Sequence, residues 1–526
     1  MRPSQTMHDI IESISLNDIP PCLEGDVILG GGVCGCLLAH ELLVRSDRPV
    51  WIIEAGGRQD ENSLDRLRPA RWLHLLGSTD DDSHLTQPNE SLAGRAITWP
   101  RGRGLGGSGR INAMIWVPPR AQDFQCLEHA GLNLDAMQIA WQRANELFAV
   151  ESPRYLSPSS QHLLATLQEH PELGEFAAYP RINRCGQRWT TEQLLLDVRE
   201  RDPSIASRLG CVHAGVQRLN ITRGSLNSLT LRNAHQEREI RLSSGTRVVC
   251  CMGALGTPGL LVRSGIGDPE LISRVGLTPL VDLPAVGRNL HDHLIMPVVY
   301  ERDLPAFLPG APTDQDIEQW EQTGAGPLAS NIAECGGFDL DATFQCHVTP
   351  TDYLRYPHHT AACATTLGVQ LTRPQSRGWM EPIRHADHVQ LHIHSQYMTE
   401  PADKAKLLDG VGWIRKLADV LTQQGVLGTE RVPGRRRSDD ARLLAAIARY
   451  AQTLYHPGGT CQIGNNSEGA VTYPDFQVPG VAGLSIVDAS LLPEPTTGNP
   501  TALLAMLACY AAERLSTSSI ASRIRC

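Results

Sequence analysis

A strand, a glycine turn, a helix and a second strand ending in an acid are written into Asp26 to Gly57, DVILGGGVCGCLLAHELLVRSDRPVWIIEAGG. Asp26 to Leu29 reads as a short apolar strand, and Gly30, Gly32 and Gly35 follow at G-x-G-x-x-G spacing where a helix begins. The first glycine permits the tight turn, the second lets backbone amides approach a pyrophosphate, and the third lets helix and strand pack closely. The helix N-terminus adds free N–H groups and partial positive charge for phosphate oxygens. Val50 to Ile53 forms the second strand and delivers Glu54 where a carboxylate hydrogen-bonds a ribose hydroxyl. The spacing predicts a dinucleotide site and does not separate NAD from FAD.

Composition narrows the class. With 526 residues and 41% hydrophobic content the chain can bury a large core, and length alone predicts about two to four domains. The net charge of -10 gives no reason for nucleic acid or an anionic membrane as partner. Arg435 to Arg437 is followed by Asp439 and Asp440 and reads as a solvated turn before a helix. Residues 1 to 25 lack an uninterrupted apolar run, so a secretory signal is not expected. No stretch approaches the roughly 18 apolar residues of a membrane helix. The 14 cysteines are scattered, with no C-x-x-C and no zinc spacing, and read as buried thiols. Metal is not expected, and the location is read as cytoplasmic.

Further motifs follow in order. Trp99 to Asn112, WPRGRGLGGSGRIN, is dense enough in glycine to lay backbone against something flat, and the apolar AMIWV from Ala113 anchors it as a β-prone segment. Arg247 to Met252 is a buried strand running into Gly253, a glycine turn and a short helix. Pro279 to Leu283 is an apolar strand leading to the turn-rich LPAVGRNLHDH. A helix from about Asp403 to Gln424 carries Leu407, Val411, Ile414, Leu417 and Leu421 on one face, with Gly425 as its C-terminal cap. His392 and His394 share a strand face, open to substrate contact or ordinary packing, and His358-His359 reads as loop. His291-Asp292-His293 looks like an acid–base cluster but reads as a structural turn. Near the C-terminus stand YHPGGTCQIG from Tyr455 and VDASLLPEPTTGNPTALLAMLA from Val487. Taken alone, His456 is equally a core histidine, and Asn499 before Pro500 is an N-cap.

The chain resembles the glucose-methanol-choline oxidoreductase family of FAD-dependent enzymes. DVILGGGVCG with Glu54, RGRGLGGSGRIN, GALGTPGLLVRSGIG, VGRNLHDH, GAGPLASNIAECGGF, SRGWMEP, YHPGGTCQIG and VDAS to GNPT stand in the family's order. The resemblance implies an α/β fold: a discontinuous Rossmann-like FAD-binding domain (24–150, 205–295 and 455–526) with a second, substrate-binding domain built on an antiparallel sheet (151–204 and 296–454). It implies that Gly30, Gly32, Gly35, Glu54 and Val216 hold the ADP half of FAD. Arg101, Gly106, Gly107, Ser108, Asn112 and Ala113 would line pyrophosphate and flavin, joined by Asp488, Ala489, Pro500 and Thr501. The position where some members tether FAD to a histidine is Ile111, so non-covalent FAD is expected.

His456 and Asn499 fall on the family's catalytic pair. Removing a hydroxyl proton makes an alcohol carbon a better hydride donor toward flavin N5, so a histidine base and an amide that holds the developing alkoxide belong together. The implied reaction takes a small-molecule alcohol to an aldehyde or ketone, with oxygen or a quinone-like carrier as acceptor. The alternatives are a lyase that keeps FAD structurally, in the manner of hydroxynitrile lyases, and a non-catalytic flavoprotein. Departures from the family are Gly458, the pair Gln462-Ile463 and a shortened segment from Met114 to Asp123.

Overall fold

The strand Asp26–Leu29 is buried along its whole length and lies in the middle of a six-stranded parallel sheet. The computed structural model describes residues 13–56, 64–302, 312–355, 363–386, 388–465 and 469–524. The sheet runs Ser13–Ile14, Leu209–His213, Val50–Glu54, Asp26–Leu29, Arg247–Cys250, Leu484–Ile486, every neighbouring pair parallel. Near-continuous apolar runs such as DVIL and RVVC suit strands covered on both faces. One cover is the helix Val33–Arg45, which packs against the last helix, Thr501–Ile524. Gly35 sits at the tightest point, since a Cβ there would lie 2.0 Å from the Gly30 carbonyl oxygen.

A four-stranded sheet joins Gly215–Thr222, Ser225–Arg232 and Glu237–Leu242 in antiparallel order, with Cys22–Leu23 added parallel at its edge. A seven-stranded antiparallel sheet runs Glu430–Val432, Leu294–Glu301, Ala364–Leu371, Phe344–Thr349, Cys335–Phe338, Glu175–Ala178, and Gln452–Thr453 also pairs with Leu294–Glu301. The helix Pro401–Gln423 packs on this sheet and buries Leu407, Val411, Ile414, Leu417 and Leu421, the face its spacing predicts. It ends where Gly425 turns to φ +70°, and the Val426 amide returns to the Leu421 carbonyl at 2.7 Å.

Two local expectations differ. Met114 to Val117 is buried, but Ala113 to Val117 is not a strand: Met114 sits at φ +56°, its amide held by Asn112 Oδ1, and only Ile115 bridges to Arg181. Of Pro279 to Leu283 only Val281–Asp282 pairs as a strand. Val389–His394 is a strand, as its alternation predicts, paired in a hairpin with Trp379–Arg384. His358 and His359 lie outside the described residues. Among the described residues no helix is long and apolar enough to cross a membrane.

Candidate functional site

The carboxyl ends of the parallel strands open into a cavity of about 760 Å³. Gly30, Glu54, Cys251 and Asp488, at or just beyond the ends of four strands, all line it, as expected for an open parallel sheet. Three helices begin on its wall, at Val33, Gly253 and Thr501. None has an acidic residue in its first turn, and the helix at Val33 has no side-chain cap on its free amides, whereas the Asp488 carboxylate accepts the Gly253 amide at 2.9 Å.

The cavity brings together Gly30, Gly32, Glu54, Arg101, Gly107, Ser108, Asn112, Ala113, Val216, Asp488, Ala489, Pro500 and Thr501 with His456 and Asn499. Gly35 and Gly106 do not line it. Gly35 serves helix packing, and the Gly106 amide donates to the Gly31 carbonyl at 2.7 Å, docking the glycine-dense loop on the first turn. Glu54 accepts from the amides of Gly31 (2.8 Å), Gly56 (2.7 Å) and Gly104 (3.1 Å). Of about four lone-pair positions on a carboxylate, that leaves one for a ligand hydroxyl. The Asp488 carboxylate is fully engaged by the Gly253 and Ser490 amides and the Thr257 and Ser490 hydroxyls, so it buttresses the helix that starts at Gly253. Ile111 also faces the cavity.

His456 and Asn499 meet inside the cavity, 3.2 Å apart from Nε2 to Nδ2. Asn499 is not the helix cap: the Pro500 carbonyl takes the first intrahelical bond, from Leu504. Behind His456 lies His293, Nδ1 to Nδ1 at 3.0 Å, and His293 Nε2 lies 2.8 Å from the Thr372 carbonyl. A carbonyl only accepts, so His293 Nε2 carries the proton and donates it there. Neutral His293 then has a bare Nδ1, which accepts from His456 Nδ1–H. His456 Nε2 is thereby left with its lone pair, to which the Asn499 amide donates.

The backbone is fixed with equal care. Asp292 accepts the His456 amide at 2.7 Å through one oxygen and the Thr453 and Tyr397 hydroxyls through the other. Tyr455, immediately before His456, is held at φ +68°, a rare conformation for a bulky side chain. Its carbonyl accepts from Arg101 at 2.6 Å. Burial first, then the neighbouring imidazoles of His293 and His347, hold His456 well below the usual histidine range.

The NLHDH turn is thus more than structural at two of its residues. His293 and Asp292 were in view in the sequence, but nothing there brings them to His456. His291 does play the structural part: its Nε2 donates to the Leu492 carbonyl, and its ring lies where a Cβ on Gly458 would come within 2.8 Å. His392 and His394 do not line the cavity, whereas Val389, Leu391 and Ile393 of the opposite face do, so ordinary packing is their role. Tyr455, the first residue of YHPGGTCQIG, also lines it, as do Trp72, His347, Thr349 and Tyr353, which carry no motif that marks them in advance.

Sequence-family models described as GMC oxidoreductase match residues 25–174 and 175–295 in their N-terminal part and 374–508 in their C-terminal part. An alcohol dehydrogenase (acceptor) of Pseudomonas putida is 29% identical, the match covering 93% of this chain and 94% of that protein. An oxygen-dependent choline dehydrogenase of Paraburkholderia xenovorans is 27% identical over 95% of each. The crystal structure of a pyridoxine 4-oxidase from Mesorbium loti superposes with a TM-score of 0.81 at 25% identity, covering 93% of this chain and 99% of that one.

Four neutral imidazoles in one region make a prediction about pH. Burial lowers His291 to about 3 and His347 to about 4, and lowers His293 and His456 as well. The unfolded chain binds these protons near pH 6.5 and the folded one does not, so stability is full above 6.5 and falls as pH drops toward the folded values. The melting temperature is expected to decline from about pH 7.5 to about pH 5.5. An unchanged melting temperature across that interval contradicts neutral burial of the cluster.

Proposed function

We propose that this chain, which belongs to the GMC oxidoreductase family of FAD-dependent enzymes acting on CH–OH donors, binds FAD without a covalent bond and oxidises a small-molecule alcohol to an aldehyde or ketone. The observation that carries this reading is the bare Nε2 of His456 beside the Asn499 amide inside a cavity walled by three helix N-termini. The named relatives act, by their names, on alcohols or choline, which supports an alcohol as donor.

The residues fit the cofactor. A Cβ on Gly32, which lines the cavity, would meet nothing closer than 3.9 Å, so bare backbone borders the ligand space there. Gly30, Gly32, Glu54 and Val216 suit the ADP half, and uncapped amides at Val33 suit a pyrophosphate. Arg101, Gly107, Ser108, Asn112, Ala113, Asp488, Ala489, Pro500 and Thr501 would surround the remainder, with Gly35 and Gly106 acting through packing. Ile111 offers no nucleophile for a tether, and burial pushes the Cys34 and Cys251 thiols on the same wall upward, away from thiolate. Bound FAD would supply an isoalloxazine able to accept the carbon-bound hydrogen as hydride, with oxygen or a quinone-like carrier as the final acceptor of the two electrons.

The chain's own residues handle the proton. His456 Nε2 takes the hydroxyl proton, and the Asn499 amide donates to the oxygen as charge develops on it. The start of Thr501–Ile524 adds favourable potential for negative charge nearby. A base held neutral by burial works without loss down to pH values well below 6.5. In this reading residues 24–150, 205–295 and 455–526 hold the cofactor, and 151–204 and 296–454 present the substrate face.

Two outcomes follow. Anaerobic addition of an alcohol is expected to bleach the visible flavin band, and His456→Ala to slow that bleaching by roughly 100- to 10,000-fold with flavin content unchanged; near-normal bleaching in the variant rules out the base assignment. Gly32→Ala is expected to fold with an unaltered melting temperature in the flavin-free form and to retain little flavin, all of it released by acid precipitation. Gly35→Ala, with no room for its methyl, is expected to lose about 1–3 kcal/mol of stability instead. Equal effects of the two glycines on folding and flavin content contradict the division of roles.

A further inference from the structure

The face of the seven-stranded sheet that meets the cavity is built by cross-strand rows. Pro297 pairs with Gly368 and Gly368 with His347, while Val299 pairs with Thr366 and Thr366 with Thr349. His347 and Thr349, two residues apart on Phe344–Thr349, therefore share this face, and both line the cavity that contains His456 and Asn499. They are 4% and 5% exposed, so each is more than nine-tenths buried.

Both are incomplete. His347 Nδ1 lies 3.1 Å from the Tyr179 hydroxyl, which fixes the ring, but Nε2 has no hydrogen-bond partner. Gln370 spends its amide N–H on Gln345 at 2.8 Å and holds its amide oxygen near this imidazole, where it favours a proton on the ring but makes no hydrogen bond to Nε2. The Thr349 hydroxyl is likewise without a partner, although the neighbouring Thr366 hydroxyl donates to the Thr351 carbonyl at 2.7 Å and accepts the Tyr353 amide at 3.1 Å. A buried polar atom left unpaired is costly, and native proteins rarely tolerate two side by side without a use. The sheet residues on this wall, Ile295, Pro297, His347, Thr349, Thr366 and Gly368, include no carboxylate, ammonium or guanidinium. The group that completes them is thus uncharged. The aromatic rings of Trp72 and Tyr455, 6.5 Å apart and nearly perpendicular, give the same cavity an apolar wall for the rest of the molecule.

We propose that His347 and Thr349 form a second recognition point, which rests on the alcohol-oxidising reading of this cavity, and that they select a neutral alcohol bearing a further hydroxyl or carbonyl group on its body. His347 Nε2 and the Thr349 hydroxyl bond to that second group while His456 and Asn499 engage the reacting one. Two separated polar anchors orient the carbon to be oxidised, and an alcohol lacking the second group leaves both wall atoms unpaired. A cationic alcohol finds no countercharge on this wall.

Tertiary benzylic alcohols lack a carbinol hydrogen and bind without being oxidised, so they separate recognition from turnover. Isothermal titration of the holoenzyme with the parent tertiary alcohol and its ortho, meta and para ring-hydroxylated analogues is expected to show at least one analogue binding roughly 3- to 10-fold more tightly. Thr349→Val removes that gain, while Thr349→Ser retains it. No gain for any analogue, a gain that survives Thr349→Val, or choline binding more tightly than every neutral alcohol overturns the proposal. The corresponding primary alcohols are assayed in parallel. Oxidation without the gain overturns the recognition point and leaves the oxidoreductase reading standing; the gain without oxidation of any alcohol supports the recognition point and removes that reading.

Discussion

The hydrogen bond from His293 to the Thr372 carbonyl fixes more of this site than any contact inside the cavity. Because a carbonyl has no proton to give, it determines which nitrogen of His293 is protonated, and through the 3.0 Å contact it determines the same for His456. A histidine free to choose would present a donor or an acceptor to the cavity with comparable ease. Here the acceptor is turned inward before any ligand arrives. Asp292 and Arg101 hold the chain around the same ring, one through the His456 amide and the other through the Tyr455 carbonyl. Such preorganisation removes reorientation from the moment of proton transfer.

The two halves of the site depend on different physics. On the parallel-sheet side the recognition groups are backbone: glycines without side chains, the uncapped amides of the helix at Val33, and three glycine amides tied together by a glutamate. On the antiparallel side they are side chains placed by strand register. The first suits a large phosphate-bearing ligand common to many enzymes, and the second suits a small molecule that varies from one enzyme to the next.

That difference explains what was legible in the sequence. Gly30, Gly32, Gly35 and Glu54 act within 25 residues of one another, and the buried face of Pro401–Gln423 follows from helical spacing alone, so both were readable. His456 and Asn499 were found through resemblance, since in isolation each has an ordinary structural reading. His293 was visible but its place in the site was not: its partners Thr372 and His456 are 79 and 163 positions away, and only the fold joins them. Period two placed His392 and His394 on one face but not which face met the cavity, and Val389, Leu391 and Ile393 took that place. His347 and Thr349 depend on the register between Phe344–Thr349 and Ala364–Leu371, which no local pattern specifies.

The position of the His456 proton is open to direct observation. Nitrogen-15 NMR of histidine-labelled holoenzyme at neutral pH distinguishes protonated from bare ring nitrogens, and His456→Ala identifies the signals of that ring by their loss. His456 is expected to be neutral, with the proton on Nδ1 and a bare Nε2. A proton on Nε2, or an imidazolium at neutral pH, would contradict it.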